Sequence, residues 1–413
     1  MLIKFRDPNQ TILTTPPTED QEAWIVSINL LAAIPALLTT GTLINYLGRK
    51  TVLLLAYIPR LVMCFLLLFA SEVWMILLAR ALAGVAEMMT LSTVSTYTPE
   101  VAGKQIRGAS GTVTQIMSAT GMMIMFSVGP FVSYLAVNIM MICIVALTFI
   151  PLQFIPEKVL TLLRGTEELA HEEIKEYSSS TDTKVDAWAH LKDRIVLKTL
   201  ALVIFLSLGL TMIGYNSVNF YLQTIFESTQ TSVSSEVSSL IIGVIQLLAC
   251  ICTFFMTDRF GRKPILCISL VGMFIGMIGL GSFFVVLENG VEITGFLNYL
   301  PLISIMVIIY TFNAGMGSLF WIVVAELFEG PIRSYAVSCG ILSGGIASFF
   351  MTLYFPAMIN AIGAAATYYM FAGGCAVVCS VIFFFVPETK GKTFAEIQTV
   401  LGKKHLNNDM EKS

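Results

Sequence analysis

Residues 45–50 read NYLGRK and residues 258–263 read DRFGRK. Each stretch is short, basic and centred on glycine, and each separates two apolar runs of about 20 residues, the length one helix needs to cross a hydrocarbon core of roughly 30 Å. The runs do not alternate apolar with polar as the strands of a membrane barrel do. The whole chain matches these two places: of 413 residues 56% are hydrophobic and 12% charged, with a mean hydropathy of +0.81. A soluble domain cannot hide that much apolar surface. The fold class is an all-α polytopic membrane protein.

Working outward from the two loops gives apolar spans at 23–44, 51–70, 73–95, 109–129, 132–154, 197–219, 239–257, 265–286, 299–324, 335–356 and 365–386. That is five spans, a polar stretch at 155–196 rich in Glu, Lys and Arg, and six more. The expected organisation is an extracellular segment 1–22, a membrane bundle 23–154, a cytoplasmic linker 155–196, a six-helix bundle 197–386 and a cytoplasmic tail 387–413. No apolar core of a secretory signal stands in the first 22 residues.

Lysine and arginine set the orientation, because they stay on the cytoplasmic side. With both basic loops inside, the outer connections carry Glu72, Glu227, Glu236, Glu288 and Glu292 and neither Lys nor Arg; Lys4 and Arg6 are the exceptions among loops and tails. Asn9-Gln10-Thr11 is a glycosylation sequon on the outer side, with Asn9 the acceptor. The eight cysteines all fall in apolar runs and the three histidines in polar segments. Reduced core cysteines are the expectation. No zinc spacing, phosphate loop or catalytic constellation is visible, so neither an enzyme nor a metal nor a cofactor is expected, and no nucleic-acid partner.

The halves repeat one another. YLGRK (46–50), PEVAGKQIRG (99–108) and IPE (155–157) are followed in the same order by RFGRK (259–263), AELFEGPIRS (325–334) and VPE (386–388). Glu100 to Arg107 and Glu326 to Arg333 have equal spacing. Two parallel-repeat helix bundles related by an axis along the membrane normal follow, as in two-bundle transporters.

These residues, with Arg80 in ARALAG, Gln115 in GTVTQIMSATG, YNSVNFYLQTIF (215–226), GSLFW (317–321) and PETKGKT (387–393), resemble a sugar porter of the major facilitator superfamily, most closely the insect facilitated trehalose transporters. The resemblance runs from about residue 17 to the end. It implies a plasma-membrane carrier, expected to be monomeric, that moves a small sugar through the lipid bilayer by alternating access. The family has twelve spans. EDQEAWIVSI (19–28) resembles the start of its second helix, so the first helix has no counterpart here and a start short of the natural one is expected.

The resemblance assigns roles. Gln115, Asn216 and Gln246 are hydroxyl ligands, Trp321 the aromatic platform, and Phe220 and Tyr221 the outer gate. Arg49, Glu100 and Arg107 form one cytoplasmic gate; Asp258, Arg259, Arg262, Glu326 and Arg333 form the other. Gly48 and Gly261 let each turn close tightly. Cytoplasmic anchoring of basic residues fits the same positions; the matched Glu–Arg spacing favours gates. Asp258 gives the second loop an acid that Asn45 does not give the first. Departures fall in the site: Leu210 and Thr211 replace paired glutamines, Gly344 and Gly345 replace a polar and an aromatic residue, and a PESPR-like motif is reduced to PEKVL. They are expected to remove hydroxyl partners and enlarge the cavity. A non-transporting sugar sensor and a proton-coupled symporter are the alternatives.

Arg60 and Glu87 lie inside neighbouring spans, about nine and eight residues from the inner ends. At about 1.5 Å per residue these depths nearly coincide. An intramembrane ion pair is expected, with a proton-coupling role for Glu87 the alternative.

Overall fold

The computed structural model describes residues 5, 13–101, 107–154, 194–229, 234–256, 260–328 and 330–390. Its helices are α1 (Glu19–Leu47), α2 (Arg49–Leu68), α3 (Val73–Val101), α4 (Arg107–Val128), α5 (Tyr134–Phe154), α6 (Arg194–Met212), α7 (Tyr215–Phe220), α8 (Leu222–Ser228), α9 (Ser235–Met256), α10 (Arg262–Glu288), α11 (Leu300–Thr311), α12 (Gly317–Glu326), α13 (Gly330–Ile362) and α14 (Ala364–Phe385). A short 3-10 turn, Gly295–Asn298, precedes α11, and a π turn, Phe312–Met316, joins α11 to α12. Among the described residues ten helical stretches are long and apolar enough to cross a membrane. The eleventh expected span is α4, whose apolar part is Thr114–Val128. Linker residues 155–193 and the tail beyond residue 390 lie outside the described residues, as does the sequon at Asn9.

Local chemistry sets the breaks. Thr18 caps α1 in a reciprocal box with Gln21, satisfying amides that the first helical turn leaves unbonded. The sixth span divides at Gly214, which has φ +73° and on which a Cβ would lie 2.4 Å from the Phe371 ring. Only glycine meets both demands there. In the π turn Phe312 stacks on Tyr215 at 3.5 Å between ring centroids, and Asn313 Nδ2 donates to the Tyr215 hydroxyl at 3.2 Å. Turns of this kind recur at functional places in helices, and this one sits just before the helix that carries Trp321.

Within the first bundle α3 packs on both α1 and α2, and α2 on α5. The α1–α3 crossing is close enough that a Cβ on Gly84 would fall 2.0 Å from the Asn29 carbonyl oxygen. One turn away, Arg80 Nε donates to the Ile25 carbonyl at 3.0 Å. At the outer end, Phe5 packs on Tyr134 with centroids 5.5 Å apart, and the Thr14 amide donates to the Ser71 carbonyl at 3.0 Å. In the second bundle α10 packs on α11 and α14, and α6 on α13. Its buried side chains form one continuous cluster, whereas those of the first bundle form three smaller ones. The bundles meet along two seams, α4 against α9 and α1 against α13.

Candidate functional site

The structure arranges the expected sugar-facing residues on two walls. One wall is built on α13, whose residues 340, 344 and 348 recur every four positions and so share a face. A Cβ on Gly340 would stand 3.0 Å from Ser207 Oγ and 3.4 Å from Trp321 Cζ3, and one on Gly344 would stand 3.2 Å from the Ser207 carbonyl. Ser348 Oγ accepts from Asn216 Nδ2 at 3.1 Å and shares a hydrogen bond of 3.2 Å with Thr211. Trp321, Ser207, Thr211, Asn216 and Ser348 therefore follow one another along α13.

This changes the meaning of the two glycines. They were expected to enlarge the cavity. Instead Gly344 lets α6 come against α13, and Gly345 lies nearest Ile34 of α1, at 3.9 Å from its would-be Cβ. A polar group stands one turn on from Gly344, at Ser348. Thr211 keeps a hydroxyl where the family carries a glutamine amide.

The second wall is the α4–α9 seam. A Cβ on Gly243 would lie 3.1 Å from Met123 Cα, so the backbones nearly touch there. Gln246, one turn further in on the same face of α9, is buried, and its Oε1 has no hydrogen-bond partner. Gln115 lies two turns inward of Met123 on α4 and is exposed. Counting along the two helices separates the glutamines by about 7–8 Å in depth. Asn29 Oδ1, Ser207 Oγ and Asn219 Oδ1 are among the other buried acceptors that stand unpaired. A buried unpaired acceptor costs about 1–3 kcal/mol unless something donates to it, and a sugar hydroxyl is such a donor. Asn29 and Asn219 were not singled out in the sequence. Asn29 is a lone amide in an apolar run, and Asn219 shares its stretch with Asn216 and Gln223; that was the available signal.

The outer-gate residues part company. Phe220 borders a cleft of about 210 Å³ with Asn219, Gln223, Ser239 and Phe126. Tyr221 turns into the core: its ring packs on Phe355 with centroids 5.2 Å apart, and its hydroxyl donates to the Thr352 carbonyl at 3.3 Å. Tyr221 thus anchors the short helices in place and does not border that opening.

At the cytoplasmic end, Arg262 and Glu326 approach to 3.7 Å. Glu388, from the PETKG stretch, accepts from the amides of Arg262 at 2.8 Å, Lys263 at 3.1 Å and Lys390 at 2.9 Å. It closes the first turn of α10, where unbonded amides and the helix dipole attract an anion. Partial burial raises the Glu388 carboxyl, but the amides of Lys390, Arg262, Lys263 and Thr389 outweigh it and hold the group below the ordinary carboxylate value. Gly261 makes room for this contact and does not serve a positive φ, since its φ is −65°: a Cβ there would lie 2.4 Å from Glu388 Oε2 and push that carboxylate aside. Gly48, by contrast, has φ +82°. Glu388 was not among the expected gate residues, although the repeat of IPE as VPE marked it. Arg49 opens α2 and is exposed. Asp258 and Arg259 and the side chains of Glu100, Arg107 and Arg333 lie outside the described residues.

The expected Arg60–Glu87 ion pair is corrected. Arg60 donates to Thr90 Oγ1 at 3.3 Å and stands 5.7 Å from the Tyr57 ring centroid. Glu87 is exposed and follows Arg80 by seven residues on the same helix. Equal depth did not bring the two together because they differ in direction. Thr90 lies on the side of α3 turned to α2, whereas Glu87 follows Arg80 and Gly84 round the side turned to α1.

Comparison with known proteins follows this geometry. A family model described as sugar (and other) transporter matches residues 4–401. A facilitated trehalose transporter of Polypedilum vanderplanki is 30% identical over 94% of this chain and 81% of its own length. One of Aedes aegypti is 28% identical over 96% of this chain, which spans 51% of that longer protein. Among solved structures, the inward-open xylose transporter XylE from E. coli superposes with a TM-score of 0.76 at 22% identity, covering 92% of this chain and 89% of that one. A D-xylose–proton symporter gives 0.72 at 23% identity, with 91% and 89% covered. The likeness to these structures shows a major facilitator fold.

Proposed function

The chain belongs to the sugar (and other) transporter family, and from that membership we propose that it is a facilitative carrier moving a sugar down its gradient by alternating access. The observation that carries this reading is the set of unpaired buried acceptors on the two walls, Gln246 Oε1 and Ser207 Oγ above all, beside the indole of Trp321. A sugar offers hydroxyl donors to the first and a CH face to the second. Because Gln246 and Ser207 lie on helices of the same bundle while Gln115 and Asn29 lie on the other, a bound sugar would bridge both bundles. Such a ligand is released when the bundles rock apart on one side.

Trehalose is the favoured substrate, since the relatives at 27–30% identity are facilitated trehalose transporters; a hexose is the alternative. We assign Gln115, Asn216 and Gln246 to hydroxyl binding and Phe220 to the outer gate. Arg262, Glu326 and Glu388 form the cytoplasmic clasp, with Arg49, Glu100, Arg107, Asp258, Arg259 and Arg333 as its further members. Uptake of labelled trehalose and glucose tests the reading: Gln246→Leu should raise KM about tenfold, the cost of one unmade hydrogen bond, with surface expression kept. An unchanged KM would remove Gln246 from the site. A proton-coupled symport is the second reading, favoured by a carboxylate, Glu87, inside the same membrane span as Arg80. It predicts uptake that rises when the outer medium is acidified and that loses this rise in Glu87→Gln.

A further inference from the structure

We propose that the cleft between α10 and α14 binds one anionic phospholipid of the cytoplasmic leaflet, with an acyl chain in the cleft and the phosphate on Lys263. The cleft measures about 270 Å³, and Leu270, Val271, Phe274, Ala376, Phe383 and Phe384 are among its lining residues. It opens on the outward face of the second bundle. On α10 the neighbouring Ile268, Val271 and Ile275 are exposed, as are Phe383 and Phe384 on α14. Positions 268, 271 and 275 share one side of the helix, so the lipid hydrocarbon covers this stripe.

Two observations select a lipid with a charged head over general solvation. The first is length. The lining residues on α14 run from Cys375 to Phe384, beside the cytoplasmic end of that helix at Phe385. At about 1.5 Å per residue that is roughly 14 Å, close to half of a core roughly 30 Å thick. The cleft therefore spans about one leaflet and begins near its headgroup level. The second is charge. Lys263 Nζ is held 5.4 Å from the Phe383 ring centroid, at the cytoplasmic end of the cleft. Among the described residues no carboxylate pairs with it. The two acids nearby among the described residues are engaged elsewhere: Glu326 faces Arg262, and Glu388 accepts from backbone amides. A lysine whose stem lies along apolar surface with its ammonium at the interface is placed to meet a phosphate. The site also adjoins the clasp, because Lys263 gives its own amide to Glu388.

The test is photolabelling of the full chain in phosphatidylcholine vesicles containing a trace of phosphatidylserine or phosphatidylcholine with a diazirine in one acyl chain, mapped by peptide mass spectrometry. Phosphatidylserine should label peptides carrying residues 268–274 and 376–384 about fivefold more than phosphatidylcholine, the preference one lysine gives at an anionic surface. Lys263→Gln should abolish that preference while leaving the phosphatidylcholine signal, and Lys263→Arg should keep it. Ala376→Phe, which fills the cleft, should lower both signals. Equal labelling by both lipids in the unmodified chain would overturn the proposal. So would a preference that survives Lys263→Gln, or labelling that Ala376→Phe leaves in place.

Discussion

Replacing Glu388 by glutamine probes the cytoplasmic clasp with almost no change of shape. The carboxylate has two oxygens, and Oε1 takes the amides of Arg262 and Lys390 while Oε2 takes that of Lys263. Glutamine keeps one oxygen and turns an NH₂ group on the remaining amide. It therefore loses one hydrogen bond, loses the charge that strengthens the others, and loses the interaction of that charge with the start of α10. A hydrogen bond to a charged group is worth about 1.5–3 kcal/mol, and an anion at a helix N-terminus about 0.3–1 kcal/mol. Glu388 is only half-buried, so water screens part of both. A total of about 1–2 kcal/mol remains, which corresponds to a factor of roughly 5–30. Hydrogen exchange of the peptide covering residues 260–270 should show that loss of protection at the Arg262 and Lys263 amides, with α11 unaffected. The carboxyl lies below its ordinary value when folded. Its contribution is thus fully present above the ordinary carboxylate range and is lost as pH falls through the lowered folded value. Thermal stability of the unmodified chain should drop in that acid window more than that of Glu388→Gln. Unchanged protection in Glu388→Gln, or an equal acid drop in both proteins, would refute the clasp.

Further substitutions follow from the same geometry. Gly261→Ala places a methyl 2.4 Å from Glu388 Oε2, so it should lose the same protection as Glu388→Gln, and the double variant should be no worse than either alone. Arg262→Gln or Glu326→Gln breaks a part-exposed pair of 3.7 Å, worth about 0.2–1 kcal/mol; uptake kinetics should show kcat altered by less than about fivefold and KM unchanged. Ser348→Ala removes the oxygen that orients Asn216 and should raise KM for sugar with little effect on thermal stability. Gly84→Leu forces α1 from α3, since even a Cβ would lie 2.0 Å from the Asn29 carbonyl oxygen. Overpacking of about 1–3 kcal/mol or more should show as lost expression in a fluorescence size-exclusion assay.

The spans were legible because each apolar run is the length of a bilayer and each basic loop marks one side of it. The break at Gly214 was legible too, because glycine and asparagine interrupt an otherwise apolar run. Direction around a helix was less so. Arg60 and Glu87 match in depth, yet whether they meet depends on which sides of α2 and α3 face each other, and that is decided by close contacts such as Gly84 on Asn29. Gly344 misled for a related reason. A missing side chain reads as space in a sequence, but there the Ser207 backbone fills it, whereas Gly345 meets only the Ile34 side chain, at 3.9 Å. Glu388 was marked by the repeat and went unassigned, because its partners are backbone amides and no complementary charge in the sequence points to them.

Transport itself is the decisive measurement: uptake of labelled trehalose and glucose by this chain reconstituted in vesicles, at matched incorporation, with Gln246→Leu alongside. The carrier reading predicts saturable uptake that equilibrates with the outside concentration and weakens in Gln246→Leu. Saturable binding of sugar without any uptake would contradict it and leave a sensor with the same fold.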